Sequence, residues 1–221
     1  MAQTNTLSIS KWCGIAGSAL FLTAFFFSQL VPSMSRAGSG DDFAHALSQA
    51  ALERTDHTVR YDGAYRKIAY PNGDVPAEVG VCTDVVIRSY RALGIDLQKR
   101  VHEDMKAHFA LYPNKWGLER TDTNIDHRRV PNLRVFFSRK GKKLKVSRNP
   151  SNYKAGDLVT WKLNNNLPHI GIVVNRRSQD GDRLLIVHNI GEGPKLEDVL
   201  FEFKITGHYR YTGNWTPQKP R

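Results

Sequence analysis

The sequence predicts an α+β fold, with helices early in the chain and a β-rich C-terminal third. Three observations carry this. Residues 80–94 place apolar side chains at 82, 85, 86, 90 and 93, which is the spacing of one helix face. Residues 156–163, 169–175 and 183–193 read as short strands separated by turn-forming stretches. The 221 residues leave room for one compact domain behind an apolar leader, and not for two large ones.

In order, residues 12–31 form an apolar run with Lys11 before it and Ser35-Arg36-Ala37 after it. This pattern predicts a secretory signal peptide; the run is also long enough to serve as an uncleaved membrane anchor and to associate with a membrane. The chain then divides into 1–37 (leader), 38–212 (folded domain) and 213–221 (flexible tail). A Gly/Ser/Asp linker leads into a predicted helix over 43–55, capped by Asp41 or Asp42. Residues 56–79, with Tyr61, Tyr65 and Tyr70, read as an ordered loop delivering the chain to the 80–94 helix. Gly94 sits where that helix wants a left-handed C-terminal cap. A second short helix is expected over 101–111, and 113–132 reads as an irregular, polar binding loop. Residues 133–146 suggest a hairpin with Gly141 at its tip and Arg139, Lys140, Lys142 and Lys143 as solvated charges around it. The strands at 156–163 and 169–175 form a hairpin, 183–193 adds a third strand, and 201–205 with 208–211 close the sheet.

The formal charge is +11, and loss of Lys11 and Arg36 with the leader lowers it to +9. For an exported chain this points to anionic cell-wall polymers, acidic peptides or phospholipid head groups, and not to nucleic acid. There is no signal for an oligomeric state. Of the two cysteines, Cys13 lies in the leader, so Cys82 is the single thiol of the exported part and can form no internal disulfide. It opens the 80–94 helix, where unpaired amides and the helix dipole favour thiolate. The competing reading is a small buried packing residue.

A helix-borne cysteine followed by a sheet that carries His169 has the form of a cysteine–histidine hydrolase. The imidazole takes the thiol proton and returns it to the leaving amine. Gly171 would leave room for the cysteine helix to approach. A third group must orient the imidazole. A symmetric turn between the strands offers Asn189, and a slip of one residue offers His188. Asp126, His127 and Arg128 read either as a substrate wall, with Arg128 or Arg129 holding a carboxylate, or as a loop-locking ion-pair network. Asp157 reads as a turn residue. No cofactor is called for, and Cys82, His169 and His188 lack the fourth ligand of a zinc site.

Several stretches resemble the NlpC-type, papain-like cell-wall cysteine peptidases. These are Cys82-Thr83 with the helix ending Leu93-Gly94-Ile95, then Gly156-Asp157-Leu158-Val159, His169-Ile170-Gly171-Ile172 and Val187-His188. Closer still is the likeness to the exported bacterial family known as domain of unknown function 1287, through Asn124-Ile125-Asp126-His127-Arg128-Arg129-Val130-Pro131-Asn132-Leu133. The resemblance implies a papain-like fold, Cys82 as nucleophile, His169 as base, His188 as orienter, Tyr70 lining the cleft, and a peptidoglycan-peptide substrate. Rival activities on that scaffold are a lipid or other-amide acyl hydrolase or transferase; a rival of another class is a non-catalytic cell-wall binding module. Val81 and Asp84 depart from the peptidase pattern, and an acid two residues after the cysteine opposes a thiolate.

Overall fold

The structure, a computed structural model, describes residues 40–216. The expected leader, with Lys11, Cys13, the 12–31 run and the expected cleavage motif, lies outside the described residues, as does 217–221. Helix α1 runs Gly40–Leu52, with Asp41 and Asp42 in its first turn, and passes into a 3-10 turn at Glu53–Asp56. A short parallel pair follows, β1 Arg60–Tyr61 on β2 Val79–Gly80. Helix α2 is Cys82–Ala92 and α3 is Leu97–Ala107. Gly94, at φ 75°, ends the first of these in the left-handed conformation that favours glycine.

The expected 133–146 hairpin is corrected: residues Val130–Lys140 form helix α4. Val130, Leu133, Phe136 and Phe137 are buried at the i, i+3, i+4 spacing of a helix face, and Pro131 suits the first turn, where an amide hydrogen has no partner. Gly141 is a helix stop and not a hairpin tip. Its amide donates to the Phe137 carbonyl, and a Cβ there would lie 2.5 Å from the Arg210 carbonyl oxygen. Arg139 and Lys140, expected to be solvated, ion-pair with Asp104 at 2.7 and 3.1 Å.

The remaining elements are β3 Lys142–Lys143, β4 Leu158–Lys162, β5 Pro168–Arg177, β6 Leu184–His188, β7 Lys195–Glu197 and β8 Lys204–Arg210. They form one antiparallel sheet in the order β3-β8-β4-β5-β6-β7. With four helices among the described residues, the architecture is α+β. Helices α1, α2 and α4 cover one face, where Leu47, Val86, Tyr90 and Phe137 pack with Ile170, Ile172, Val174 and Val187. The other face carries Val159, Trp161, Val173 and Ile186 under Tyr153 and Leu200. Alternation along β5 follows from the period of two in a strand. Residues 201–203 are not a strand but cover this second face through Phe201 and Phe203. The predicted flexible tail begins docked, with Trp215 packed edge-on against Phe43.

Candidate active site

Cys82 is the first residue of α2, and its helix start is closed by Asp84, whose Oδ2 accepts the Val81 amide at 2.7 Å. The same carboxylate is gripped by Arg128. The guanidinium donates to Asp84 Oδ1 and Oδ2 at 2.9 and 2.8 Å, with both side chains almost wholly buried. Arg128 also reaches the Asp62 and Ala64 carbonyls, each at 3.3 Å. The acid that opposes a thiolate in the sequence is therefore partnered, and the Arg128 guanidinium is engaged inside the protein. Of the two readings given for Arg128, this geometry is that of the ion-pair network. Asp126 and His127 are buried beside it in a 3-10 turn, Asp126–Arg128, and not along the wall of an open loop.

The Cys82 sulfur meets the sheet at the end of a hydrogen-bond ladder. Val173 bonds towards β4 through its amide and carbonyl, so the even-numbered residues of β5 point towards β6. The β5–β6 pairing reaches only Ile172–Val187, which leaves the Ile170 amide to the sulfur. Cys82 packs in one cluster with Ile170, the residue after His169, and the Cys82 and Thr83 amides also act to lower its pKa. It is free and 5% exposed. Burial pushes it up to about 12, outweighing those three amides, and the Asp84 charge adds to the rise. The expectation of a helix-terminal thiolate is corrected: dehydration of the sulfur wins over the helix end.

His169 and His188 come together. His169 Nε2 and His188 Nδ1 are 2.8 Å apart, with the rings edge to face. Burial, and then the neighbouring His188, holds His169 down to about 3. No hydrogen bond joins the His169 ring to the sulfur among the described residues. The sequence left the orienter open between His188 and Asn189. A bulge in the β5–β6 pairing between Val173 and Arg177 displaces the symmetric register, and His188 is the residue that meets His169. Asn189 points elsewhere, donating to the Gly80 carbonyl at 3.4 Å. Gly171 makes room for β6 and not for the helix. A Cβ there would stand 2.7 Å from Ile186 Cγ2 and 3.1 Å from His188 Cβ.

Tyr70 packs against His102, with ring centroids 5.1 Å apart. The tyrosine that the fold brings to the start of α2 is Tyr61, paired across β1–β2 with Gly80, two residues before Cys82. Burial raises its hydroxyl to about 12, with the Cys82 and Asp84 charges adding to it. Sequence reasoning missed it because the signal is a strand pairing across eighteen intervening residues. Also missed was Glu197, whose Oε2 lies 2.8 Å from His188 Nε2. Asp157 is more than a turn residue: it is fully buried, receives the Lys154 amide, and binds His208 and Arg210 at 2.7 Å each.

Two hollows lie near this constellation. One, of about 500 Å³, is bounded by Val81, Asp84, Arg88 and Asn189. The other, of about 680 Å³, runs past Trp161 and Pro168, next to His169, and is edged by Lys115, Arg134, Lys143 and Lys162. Among the described residues no helix is long and apolar enough to cross a membrane, and no group of three or more His, Cys, Asp and Glu is arranged to hold a metal.

The chain is 54% identical over 166 residues to the Escherichia coli (strain K12) protein named "Uncharacterized protein YijF", covering 75% of this chain and 80% of that one. Residues 48–211, from within α1 to just past β8, match the family described as domain of unknown function (DUF1287), and the chain belongs to that family.

Proposed function

We propose that the protein is an exported cysteine hydrolase with a papain-like, NlpC-like fold, cleaving an amide bond in cell-wall peptides. The observation that carries the reading is the 2.8 Å His169–His188 contact on a strand whose next residue, Ile170, packs in one cluster with Cys82. With a raised thiol and a depressed imidazole, the resting pair is neutral, Cys–SH and His. His169 takes the thiol proton as the sulfur attacks the carbonyl carbon. The S–C bond forms while amides at the start of α2 stabilise the oxyanion. His169 then protonates the leaving nitrogen as the C–N bond breaks, and water releases the acyl group. His188 is a positioning residue that holds the ring. The basic groove beside Pro168 supports an anionic peptide as substrate: Lys115, Lys143 and Lys162 have no ion-pair partner among the described residues, and no acid lines it.

The test is a digest of purified muropeptides followed by mass spectrometry. New amines should form with the wild-type chain and be abolished in Cys82→Ala and His169→Ala, while binding persists. Turnover that survives in Cys82→Ala refutes the assignment. A second reading, a non-catalytic module that holds wall peptides, is favoured by the burial of the thiol; binding without turnover in the wild type selects it.

A further inference from the structure

The His188 ring has a contact on both sides. Its Nδ1 faces His169, and its Nε2 faces the carboxylate of Glu197 at 2.8 Å. Strand β7 pairs Glu197 with Ile186 and Lys195 with His188, so Glu197 is the diagonal neighbour of His188 on the same side of the sheet. An ionised carboxylate only accepts hydrogen bonds, so the proton of a neutral His188 belongs on Nε2. Its Nδ1 is then a bare acceptor and must receive the His169 Nε2 proton. That leaves His169 Nδ1 bare, and this is the nitrogen free to take the thiol proton. The alternative tautomer of His188 would place a proton on both inner nitrogens or force the His169 proton onto Nδ1, which removes the base.

We infer that Glu197 is a positioning residue that fixes the tautomers of His188 and, through it, of His169, extending the constellation to Cys82–His169–His188–Glu197. This rests on the hydrolase reading above. The carboxylate oxygen stands off the Nε2–H axis, leaving Nε2 without an aligned hydrogen bond, so the hold is chiefly electrostatic at rest. The Glu197 side chain is 38% exposed and the His188 side chain 1% exposed, so one end of the chain is wet and the other dry. The other titratable groups facing His188 are His169 from β5 and Lys195, opposite it on β7. Lys195 is itself held by Glu192.

The experiment reads the alkylation rate of Cys82 by iodoacetamide across the pH range, in the full chain, by mass spectrometry of the Cys82 peptide, so no substrate need be known. In the wild type the rate should follow an imidazole-dependent profile that His169→Ala removes. Glu197→Gln, which keeps size and loses charge, should slow alkylation roughly tenfold at neutral pH and move the imidazole limb to lower pH, since the carboxylate favours protonated His188. Glu197→Asp should recover part of the rate. Glu192→Gln should match the wild type, and an unchanged melting temperature in Glu197→Gln excludes a merely structural effect. A Glu197→Gln profile superimposable on the wild type, where His169→Ala is altered, overturns the inference and leaves the hydrolase reading standing. A wild-type profile that His169→Ala does not change removes both.

Discussion

Replacing Arg128 by Met separates two meanings of the most distinctive segment in the sequence. In the structure the guanidinium is a two-bond fork on Asp84, and the side chains are 2% and 3% exposed. Methionine keeps most of the volume and leaves Asp84 as a buried carboxylate with no cation. Breaking a buried pair from one side costs about 3–5 kcal/mol, because the remaining charge loses its partner without regaining water. The loss of the bonds to the Asp62 and Ala64 carbonyls, which are longer, adds less. Urea unfolding of wild type, Arg128→Met, Asp84→Asn and the double variant gives the cycle. The double variant should recover more than about 1 kcal/mol relative to the sum of the singles, since residues sharing one ion pair are not additive. Asparagine can still accept the Val81 amide, so the helix start is kept. A single-variant cost below about 1 kcal/mol, the level of an exposed pair, paired with a raised KM for substrate, would show that Arg128 holds the ligand and not the fold.

Gly171→Ala should destabilise by about 1–3 kcal/mol, the usual cost of overpacking, because the new methyl meets buried Ile186 and His188 from one side. Cys82 alkylation should slow with it as His188 is pushed off His169; a variant as stable and as reactive as wild type contradicts the register. Acid stability gives a further check. His127 is held down to about 4 and His169 to about 3, both chiefly by burial, so each is neutral in the fold while the unfolded chain protonates below its ordinary 6.5. Their contributions are present above 6.5 and are lost as pH falls towards those values. Asp126 is raised to about 6 by burial, so it takes up its proton in the fold first and opposes that loss between about 6 and its ordinary 3.8. Asp126→Asn should therefore make the unfolding free energy from urea titrations fall more steeply from pH 6 to 4, by up to about 1.4 kcal/mol per pH unit. Equal slopes would refute the offset.

What the sequence discloses here depends on how local the cause is. The α2 helix and the β4–β5 hairpin are legible because their apolar periods and turn residues lie within a dozen positions of each other. Helix α4 is misread although its period is present. Phe136 and Phe137 beside a basic, glycine-centred stretch also suit a strand and a turn, and only the buried face against Tyr209 and Tyr211 decides it. Cys82, His169 and His188 are singled out by their order, and the structure brings the two histidines together. Their state is not legible in that order, because the desolvation that raises the thiol depends on what packs over it. Tyr61 and Glu197 enter the site through pairings between strands of two and three residues, too short to announce a register.

Asp84 links these observations. One carboxylate closes the start of α2, anchors Arg128, and through it binds the carbonyls of Asp62 and Ala64, next to Tyr61. Thr83 joins from the other side, its hydroxyl donating to the Arg128 carbonyl at 3.1 Å. The 124–133 stretch, the Tyr61 loop and the first turn of α2 are thus one bonded unit around the sulfur. A side chain already bonded on several sides can position a nucleophile, but it cannot turn to greet a substrate without breaking those bonds. Under the proposed reaction, recognition then belongs to groups that are still unengaged, and a set of these lies on the Pro168 side. There Lys115, Lys143 and Lys162 line a groove that also includes Trp161 and Pro168. The 124–133 segment is better explained as the mounting of the Cys82 helix than as the reader of a substrate.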